Sequence, residues 1–323
     1  MHLSDKKIKV LCISGPTASG KTSLSVALAK ELSAEIISAD SMQIYKGMDI
    51  ATAKPSLEER QGIPHHLMDY VNPDELYSVA RYVQDATIAA KDINSRGNLP
   101  IIVGGTGLYT DSLINGIEFS EGEVDLKLRT ALQSRLQNEG IDSLLDVLES
   151  VDPESANKMR IERNPKRIIR ALEIFYTTGI TMTEQNKRSK EKGSEFDAVK
   201  IALNFRDREL LYQRINRRVD IMVEMGLVEE CKNFLENYEG ITSKQAIGYK
   251  ELRPYFDDEK TLEDCIETLK QSTRRYAKRQ LTWFNRDPEI QWFYVDDYKD
   301  FNNLYSHVRS YLMNKGFDFN ERP

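Results

Sequence analysis

The segment 15–22 combines residue types that bind phosphate groups. It matches the pattern G-x-x-x-x-G-K-[ST] between an apolar run, Ile8–Ser14, and a helical pattern that begins near Leu24. Backbone N–H groups of such a loop turn towards phosphate oxygens, and the following helix adds its partial positive charge. Lys21 supplies a full positive charge, and the hydroxyl of Thr22 can ligate Mg²⁺. The members of the loop are Gly15, Pro16, Thr17, Ala18, Ser19, Gly20, Lys21 and Thr22. The pattern predicts a di- or triphosphate site, which explains it better than a chance strand–helix turn.

Asp40 is a second candidate, because it follows another short apolar run, Ile36–Ser38. The carboxyl ends of strands line the ligand crevice of open α/β sheets, so Asp40 can face the phosphate loop. An Asp in this position is just as well explained as a helix N-cap, and the sequence leaves both roles open. P-loop ATPases also carry an Asp at the end of a later strand to hold Mg²⁺. Here the run Ile101–Val103 is instead followed by Gly-Gly-Thr-Gly at 104–107.

Two segments are basic although the net charge of the chain is −6. Lys158–Arg170 contains six cations, and Arg274–Phe284 interleaves cations with aromatic residues. On a helix, the second segment and its flank form a cationic face and a face of aromatic and amide groups. These faces consist of Arg275, Arg279 and Arg286, and of Tyr276, Gln280 and Trp283, respectively. Cations contact phosphates and aromatic rings stack on splayed bases, which suits RNA. A solvated helix face that covers the core is the other interpretation.

The bulk composition favours a protein of a reducing, aqueous compartment. The 323 residues are 40% apolar, their mean hydropathy is −0.53, and no stretch approaches the ~20 apolar residues of a membrane span. Three cysteines lie far apart, without the spacing of a zinc site or a disulfide framework. His65 and His66 are adjacent and lack further ligands nearby, so they predict no metal site. We expect a cytoplasmic location and no contact with membranes.

The alternation of short apolar runs and helical patterns predicts an α/β fold with parallel strands. Predicted strands are 8–14, 36–38, 100–103, 199–205 and 291–295, and the rest of 206–286 is predicted to be mostly helical. Charged helical patterns fill 118–198, and the segment EKGSEFD at 191–197 is typical of a linker. The chain is therefore predicted to have a core of 1–117 and 199–323, interrupted by a helical insertion domain of 118–198.

Taken together, the motifs resemble the bacterial tRNA dimethylallyltransferases. The matching segments are GPTASGKT at 15–22, ADSMQIY at 39–45, GMDIATAKP at 47–55, PHHLMD at 64–69, VGGTGLY at 103–109, RIIRALEIF at 167–175, RINRRVDIM at 214–222, QAIGYKE at 245–251 and KRQLTWF at 278–284. The resemblance implies a P-loop NTPase-like parallel-sheet core that binds dimethylallyl diphosphate and Mg²⁺. It also implies an inserted helical domain that clasps the anticodon stem-loop of tRNA, and a monomer is the expected state.

The resemblance further implies transfer of the dimethylallyl group to the N6 amine of the adenosine next to the anticodon. Asp40 would be the general base, and Lys21, Thr22 and Arg218 would hold the leaving diphosphate, with Thr22 also on Mg²⁺. Thr106 would place the nucleotide. The residues implied in tRNA contact are Asp40, Ser41, Met42, Gln43, Thr106, Arg129, Lys166, Arg167, Ile168, Ile169, Arg170, Gln245, Ala246, Ile247, Gly248, Tyr249, Lys250, Lys278, Arg279, Gln280 and Trp283. Lys166 stands where the family pattern has Gln, which leaves a phosphate contact as its implied role.

Three other functions fit part of the sequence. A small-molecule kinase would use the loop 15–22 but not the basic helix around Arg274–Phe284. An RNA-binding module switched by a nucleotide would use the basic segments and would need Asp40 only as a cap. A relative that prenylates free AMP would need neither basic segment.

Overall fold

The structure, a computed structural model, describes residues 7–117, 119, 125–240 and 242–319, except for the side chains of residues 190 and 192. The chain forms two compact units. The first comprises residues up to Ile114 and from Glu195 onward, and the second comprises Asn115–Ser194.

A parallel sheet of six strands runs through the described part of the first unit. The strands are β1 (Ile8–Ser14), β2 (Ala34–Ser38), β3 (His65–His66), β4 (Leu99–Val103), β5 (Phe196–Asn204) and β6 (Gln291–Tyr294). Their order in the sheet is β3-β2-β4-β1-β5-β6. All pairs are parallel, so the carboxyl ends of the strands meet at one edge. The predicted α/β fold with parallel strands is confirmed.

Helices cover both faces of this sheet. Those of the first unit are α1 (Lys21–Glu31), α2 (Leu57–Arg60), α3 (Val79–Ser95), α4 (Gly107–Ile114), α10 (Arg208–Glu224), α11 (Leu227–Asn237), α12 (Tyr249–Phe256), α13 (Leu262–Phe284) and α14 (Phe301–Asn314), with short 3₁₀ turns at Ser243–Gln245 and Val295–Asp297. The numbers α5 to α9 belong to the second unit. None of the helices in the described residues is long and apolar enough to cross a membrane.

Strand β1 shows how the two faces become separate cores. Val10 and Cys12 point into a cluster with α3, α4 and the helices α10 to α13. Leu11 and Ile13 point into a second cluster with α1 and α14. Successive residues of a strand face opposite sides, and both sides here are covered. Because both faces of β1 are covered, its sequence is continuously apolar.

The described part of the second unit contains five helices around its own core. They are α5 (Leu126–Glu139), α6 (Ile141–Val151), α7 (Pro153–Glu162), α8 (Pro165–Thr178) and α9 (Met182–Lys192). Leu144, Leu145 and Leu148 of α6 pack against Ile168 and Leu172 of α8 in this core. Side chains of Asp125, Asp152, Asn164 and Thr181 cap four of the five helices by accepting backbone N–H groups.

Two local predictions were wrong. The segment predicted as a linker ends inside β5, which begins at Phe196 because that side chain is buried and its backbone pairs with Ile8. The two-residue strand β3 was not predicted at all. Its residues pair with Ile36 and Ile37 at the end of the sheet, and two residues are too few to show a strand pattern.

Candidate active site

The Gly15–Thr22 loop connects the carboxyl end of β1 to the start of α1. Gly15 has φ +139°, and a Cβ atom there would lie 2.4 Å from the carbonyl oxygen of Leu203. Only glycine permits both this backbone angle and this close approach to β5. Lys21 Nζ donates hydrogen bonds to the carbonyl oxygens of Gly15 (2.9 Å) and Pro16 (2.7 Å). The ammonium group is thus held over the loop by the loop itself.

The charge of Lys21 is poorly compensated. Burial, together with the nearby cation of Arg218, lowers the pKa of its ammonium group to about 7, although the carboxylate of Asp40 partly opposes both effects. A phosphate group would relieve this shift by supplying negative charge at short range. The loop is therefore electrostatically suited to an anion.

Helix α10 brings two arginines to the same loop. Arg218 Nη1 donates to the Thr17 hydroxyl oxygen (3.3 Å), and burial lowers the pKa of Arg218. Arg214 Nε donates to the carbonyl oxygen of Ala18 (3.0 Å). Sequence reasoning selected Arg218 and missed Arg214. The spacing of four residues on a helix was the available signal, because it places both side chains on one face.

Asp40 caps a turn just beyond the carboxyl end of β2, and no helix begins at this turn. Its Oδ1 accepts the backbone N–H groups of Met42 (2.9 Å) and Gln43 (3.3 Å), so the carboxylate caps the turn that follows β2. Burial raises its pKa, while these hydrogen bonds and the positive charge of Lys21 lower it. The charges of Asp40 and Lys21 each shift the pKa of the other group, so the two groups interact electrostatically.

Thr106 lies beside Asp40 through contacts between the ends of β2 and β4. The backbone N–H of Ser41 donates to Thr106 Oγ1 (3.1 Å), and the Thr106 N–H donates to the Ala39 carbonyl oxygen (3.1 Å). The side chain of Thr106 interacts with the hydroxyl of Tyr276, on α13, and lowers its pKa. Burial raises the pKa of the Tyr276 hydroxyl, and so does the negative charge of Asp40. Tyr276 was predicted to lie on the aromatic face of this helix but was not selected as a site residue.

The remaining members of that aromatic face also pack onto the Gly104–Gly107 loop. Gln280 is buried and hydrogen-bonds to both this loop and the Gly15–Thr22 loop. Trp283 Nε1 donates to Asp111 Oδ2 (2.5 Å). The adjoining face of the helix exposes Arg275, Lys278 and Arg279, and Arg279 lies over the ring of Tyr276. Of the three cations predicted for this face, Arg286 lies beyond the end of α13 and over the ring of Trp283.

The first basic segment is largely neutralised within the second unit. Its ion pairs are Lys158–Glu154, Arg160–Asp146, Arg160–Glu149, Arg163–Asp142, Arg167–Glu162 and Arg170–Glu173. Arg129 makes two hydrogen bonds to Glu173, of 2.6 and 2.9 Å. Lys166 is exposed and has no ion pair among the described residues. Ile168 and Ile169 are buried in the core of the unit, so their side chains are not exposed for contact with RNA.

The segment 245–250 likewise contains both exposed and buried residues. Gln245 and Lys250 are exposed, Ile247 is partly buried, and Ala246, Gly248 and Tyr249 are buried. The Tyr249 hydroxyl donates to Glu230, whose carboxylate also accepts the backbone N–H groups of residues 49–51 at 2.7–3.0 Å. Gln43 supports the same loop by donating to the carbonyl oxygens of Thr52 and Ala53. Met42 is partly buried and packs against the core.

The fold and this site define a P-loop-like α/β protein with a glycine-containing loop and a carboxylate at the carboxyl edge of its sheet. Residues 43–287 match the family model described as IPP transferase. The chain belongs to this family, which confirms the resemblance stated from the motifs.

Similar proteins cover nearly the whole chain. The tRNA dimethylallyltransferase of Caldanaerobacter subterraneus is 47% identical over 312 residues, which is 95% of this chain and 98% of that protein. The Bacillus subtilis protein of the same name is 48% identical over 90% of this chain and 92% of its own length. Among solved structures, a Bacillus halodurans tRNA isopentenylpyrophosphate transferase has a TM-score of 0.71 at 43% identity, with coverage of 96% and 97%. A eukaryotic dimethylallyltransferase acting on tRNA has a TM-score of 0.81 at 32% identity, with coverage of 98% and 81%.

Proposed function

We propose that this chain transfers a dimethylallyl group from dimethylallyl diphosphate to the N6 amine of the adenosine next to the anticodon of tRNA. The observation that carries the proposal is the convergence of Lys21, Arg218 and Asp40 at one edge of the sheet. Family membership agrees, because the relatives are named as transferases of a dimethylallyl group to tRNA. We also propose that the chain acts as a monomer in the cytoplasm.

The leaving diphosphate binds the Gly15–Thr22 loop. An exocyclic amine is a weak nucleophile, so the allylic C–O bond has to break substantially as the new N–C bond forms. The electron pair of that bond leaves with the diphosphate, whose charge is then greatest. Lys21, Arg214 and Arg218 are held against the loop and stabilise this charge.

Asp40 accepts the proton that the N6 amine loses once it is alkylated. Its Oδ1 is committed to the turn at Met42 and Gln43, so we assign the proton to Oδ2. Burial raises the pKa of the carboxylate and therefore its basicity. Thr106 and Tyr276 lie against the same turn and hold the nucleotide side of the site.

Mg²⁺ fits this site as a partner of the diphosphate. The described residues contain no group of three or more His, Cys, Asp or Glu side chains that could hold a metal alone. The half-buried Thr22 follows Lys21 directly, and its hydroxyl can supply one oxygen ligand. Mg²⁺ prefers to keep several waters and to bind phosphate oxygens, so one protein ligand is sufficient here. When bound, the ion neutralises charge on the leaving group.

The anticodon stem-loop binds through the cationic face of α13. Arg275, Lys278 and Arg279 are exposed and form no ion pair with a carboxylate in the described residues. Exposed cations of this kind contact the phosphate backbone. In the second unit the corresponding candidate is Lys166, since most cations around it already have carboxylate partners. Gln245 and Lys250 are the exposed positions of the segment 245–250.

The reaction itself is tested by single-turnover transfer of labelled dimethylallyl diphosphate to tRNA, AMP or ATP. We expect product when the acceptor is tRNA, and none when it is AMP or ATP. Lys21→Ala should reduce the rate by roughly two to four orders of magnitude, the range for loss of a preorganised charge. Lys30→Ala, on the exposed side of the same helix, is the matched control and should retain the rate. Full activity of Lys21→Ala, or transfer to AMP in place of tRNA, would refute the assignment.

RNA binding is tested by the salt dependence of affinity for tRNA. Each neutralised phosphate releases condensed counterions, so affinity should fall steeply as salt rises. Removing the charges of Arg275 and Arg279 should flatten this slope by about one unit for each phosphate that is no longer neutralised. Removing the charge of Arg163, which is already paired with Asp142, should change the slope much less. Equal effects of the two sets of variants would contradict the role given to α13.

A further inference from the structure

Gln280 is the single side chain on α13 that joins the two loops of the site by hydrogen bonds in the described structure. Its Oε1 accepts the backbone N–H of Thr17 (2.9 Å), and its Nε2 donates to the carbonyl oxygen of Gly105 (3.0 Å). The residue is 5% exposed. If either hydrogen bond were lost, a buried polar group of the amide would be left without a partner, which is unfavourable. The position of the Gln280 amide is therefore strongly constrained.

Each of the two bonds ends next to a residue of the proposed chemistry. Thr17 accepts a hydrogen bond from Arg218 on the diphosphate side. Gly105 directly precedes Thr106, which holds the turn of Asp40 through Ser41. The Gln280 amide thus lies between the residues proposed to bind the diphosphate and the residues proposed to position the nucleotide.

The Gly104–Gly107 loop has the shape that this contact requires. A Cβ atom on Gly105 would lie 2.0 Å from Gln280 Nε2, and one on Gly107 would lie 2.2 Å from Cδ1 of Trp283. A larger residue at Gly105 would displace the Gln280 amide, and one at Gly107 would displace the Trp283 ring. The glycines therefore allow the helix to approach closely enough for the amide to reach both backbones.

We propose that Gln280 is a positioning residue that fixes the Gly15–Thr22 loop and the Gly104–Gly107 loop at a set separation. The consequence for catalysis rests on the proposed function. If the diphosphate and the nucleotide bind opposite sides of this bridge, it sets the distance between the allylic carbon and the attacking N6 atom. A displacement of about 1 Å in such a geometry can cost roughly 100-fold in rate.

The first experiment does not depend on activity. Inorganic pyrophosphate with Mg²⁺ is bound to the full chain, and amide hydrogen exchange is followed across residues 103–110. In wild type we expect pyrophosphate to slow exchange in this segment several-fold, because the bridge transmits the ordering of the first loop. In Gln280→Met, which keeps the length but loses both bonds, the segment should exchange as it does without pyrophosphate. Equal slowing in wild type and variant would overturn the inference.

The second experiment separates positioning from simple stabilisation. Single-turnover transfer at saturating substrates should slow about 10- to 100-fold in Gln280→Met, while the Kd for pyrophosphate changes less than about 3-fold. Thermal unfolding of Gln280→Met guards against misfolding, since a folded variant should retain pyrophosphate binding but lose rate. Gln271→Met, at an exposed position of the same helix, is the control. A loss confined to thermal stability, with the saturated rate unchanged, would overturn the positioning role. Inactive wild-type protein would refute the proposed function instead, and the exchange experiment would still decide on the bridge.

Discussion

Strand β2 has a carboxylate at each end, and the two are in opposite electrostatic situations. Glu35, near the amino end, accepts hydrogen bonds from Arg96, from His66 Nε2 (2.7 Å) and from Asn98 Nδ2 (2.7 Å). These bonds, above all those of Arg96, lower the pKa of Glu35 to about 2 although burial opposes them. At Asp40, just beyond the carboxyl end, burial dominates and the pKa is raised.

The cations beside these carboxylates differ in the same way. The hydrogen bonds to Glu35 raise the pKa of Arg96, whereas burial lowers that of Lys21 to about 7. Glu35 and Arg96 each stabilise the charged form of the other, which is the pattern of a structural ion pair. Around Asp40 the charges are incompletely satisfied, which is the usual condition of groups that move protons or bind charged ligands. The two ends therefore differ in whether hydrogen-bonding neighbours or burial dominates the pKa of the carboxylate.

The largest expected effect is on catalysis at Asp40. Asp40→Asn keeps a good capping side chain for the turn but removes the proton acceptor. Transfer in a single turnover should fall roughly a hundred- to ten-thousand-fold, while thermal stability and binding of both substrates change much less. Comparable rates in wild type and variant would leave Asp40 as a cap alone.

The second effect is on stability at Glu35, and it depends on pH. Because the pKa of Glu35 is lower in the folded chain than its ordinary value of 4.5, the stabilisation is complete above pH 4.5 and is lost as the pH falls towards 2. Glu35→Gln should lower the free energy of unfolding by about 1–3 kcal/mol near pH 6, since Arg96 is partly exposed and can rehydrate. Denaturant unfolding at pH 6 and pH 3 measures this difference, which should shrink at pH 3. If Glu35→Gln were as stable as wild type at pH 6, Glu35 would not have the structural role assigned to it. If the folded variant transferred the dimethylallyl group more slowly than wild type, Glu35 would not differ from Asp40 in function.

The residues of the candidate site were predictable from the sequence to different degrees. The Gly15–Thr22 loop and Asp40 were found because their chemistry is local: a strand, a fixed spacing and a helix. Arg214, Tyr276 and the bridging role of Gln280 depend on how α10 and α13 dock, which residue spacing alone does not determine. The basic segment 158–170 shows the opposite failure. Its carboxylate partners at Asp142, Asp146 and Glu149 come from a different helix, so the sequence overstated its free positive charge.

The smallest expected effect is a proton taken up by Lys21 when the site binds an anion. With a pKa near 7, the ammonium group is only partly protonated around neutral pH. Bound pyrophosphate favours the charged form, so binding should take up roughly half a proton at pH 7, and more as the pH rises towards 8. Calorimetry of pyrophosphate binding in buffers with different ionisation enthalpies measures this uptake. Lys21→Arg isolates the contribution, because a guanidinium remains charged throughout and leaves only the protons of pyrophosphate itself. The same uptake in wild type and in Lys21→Arg would mean that Lys21 is fully charged in the free protein, and the contrast between the cations at the two ends of β2 would disappear.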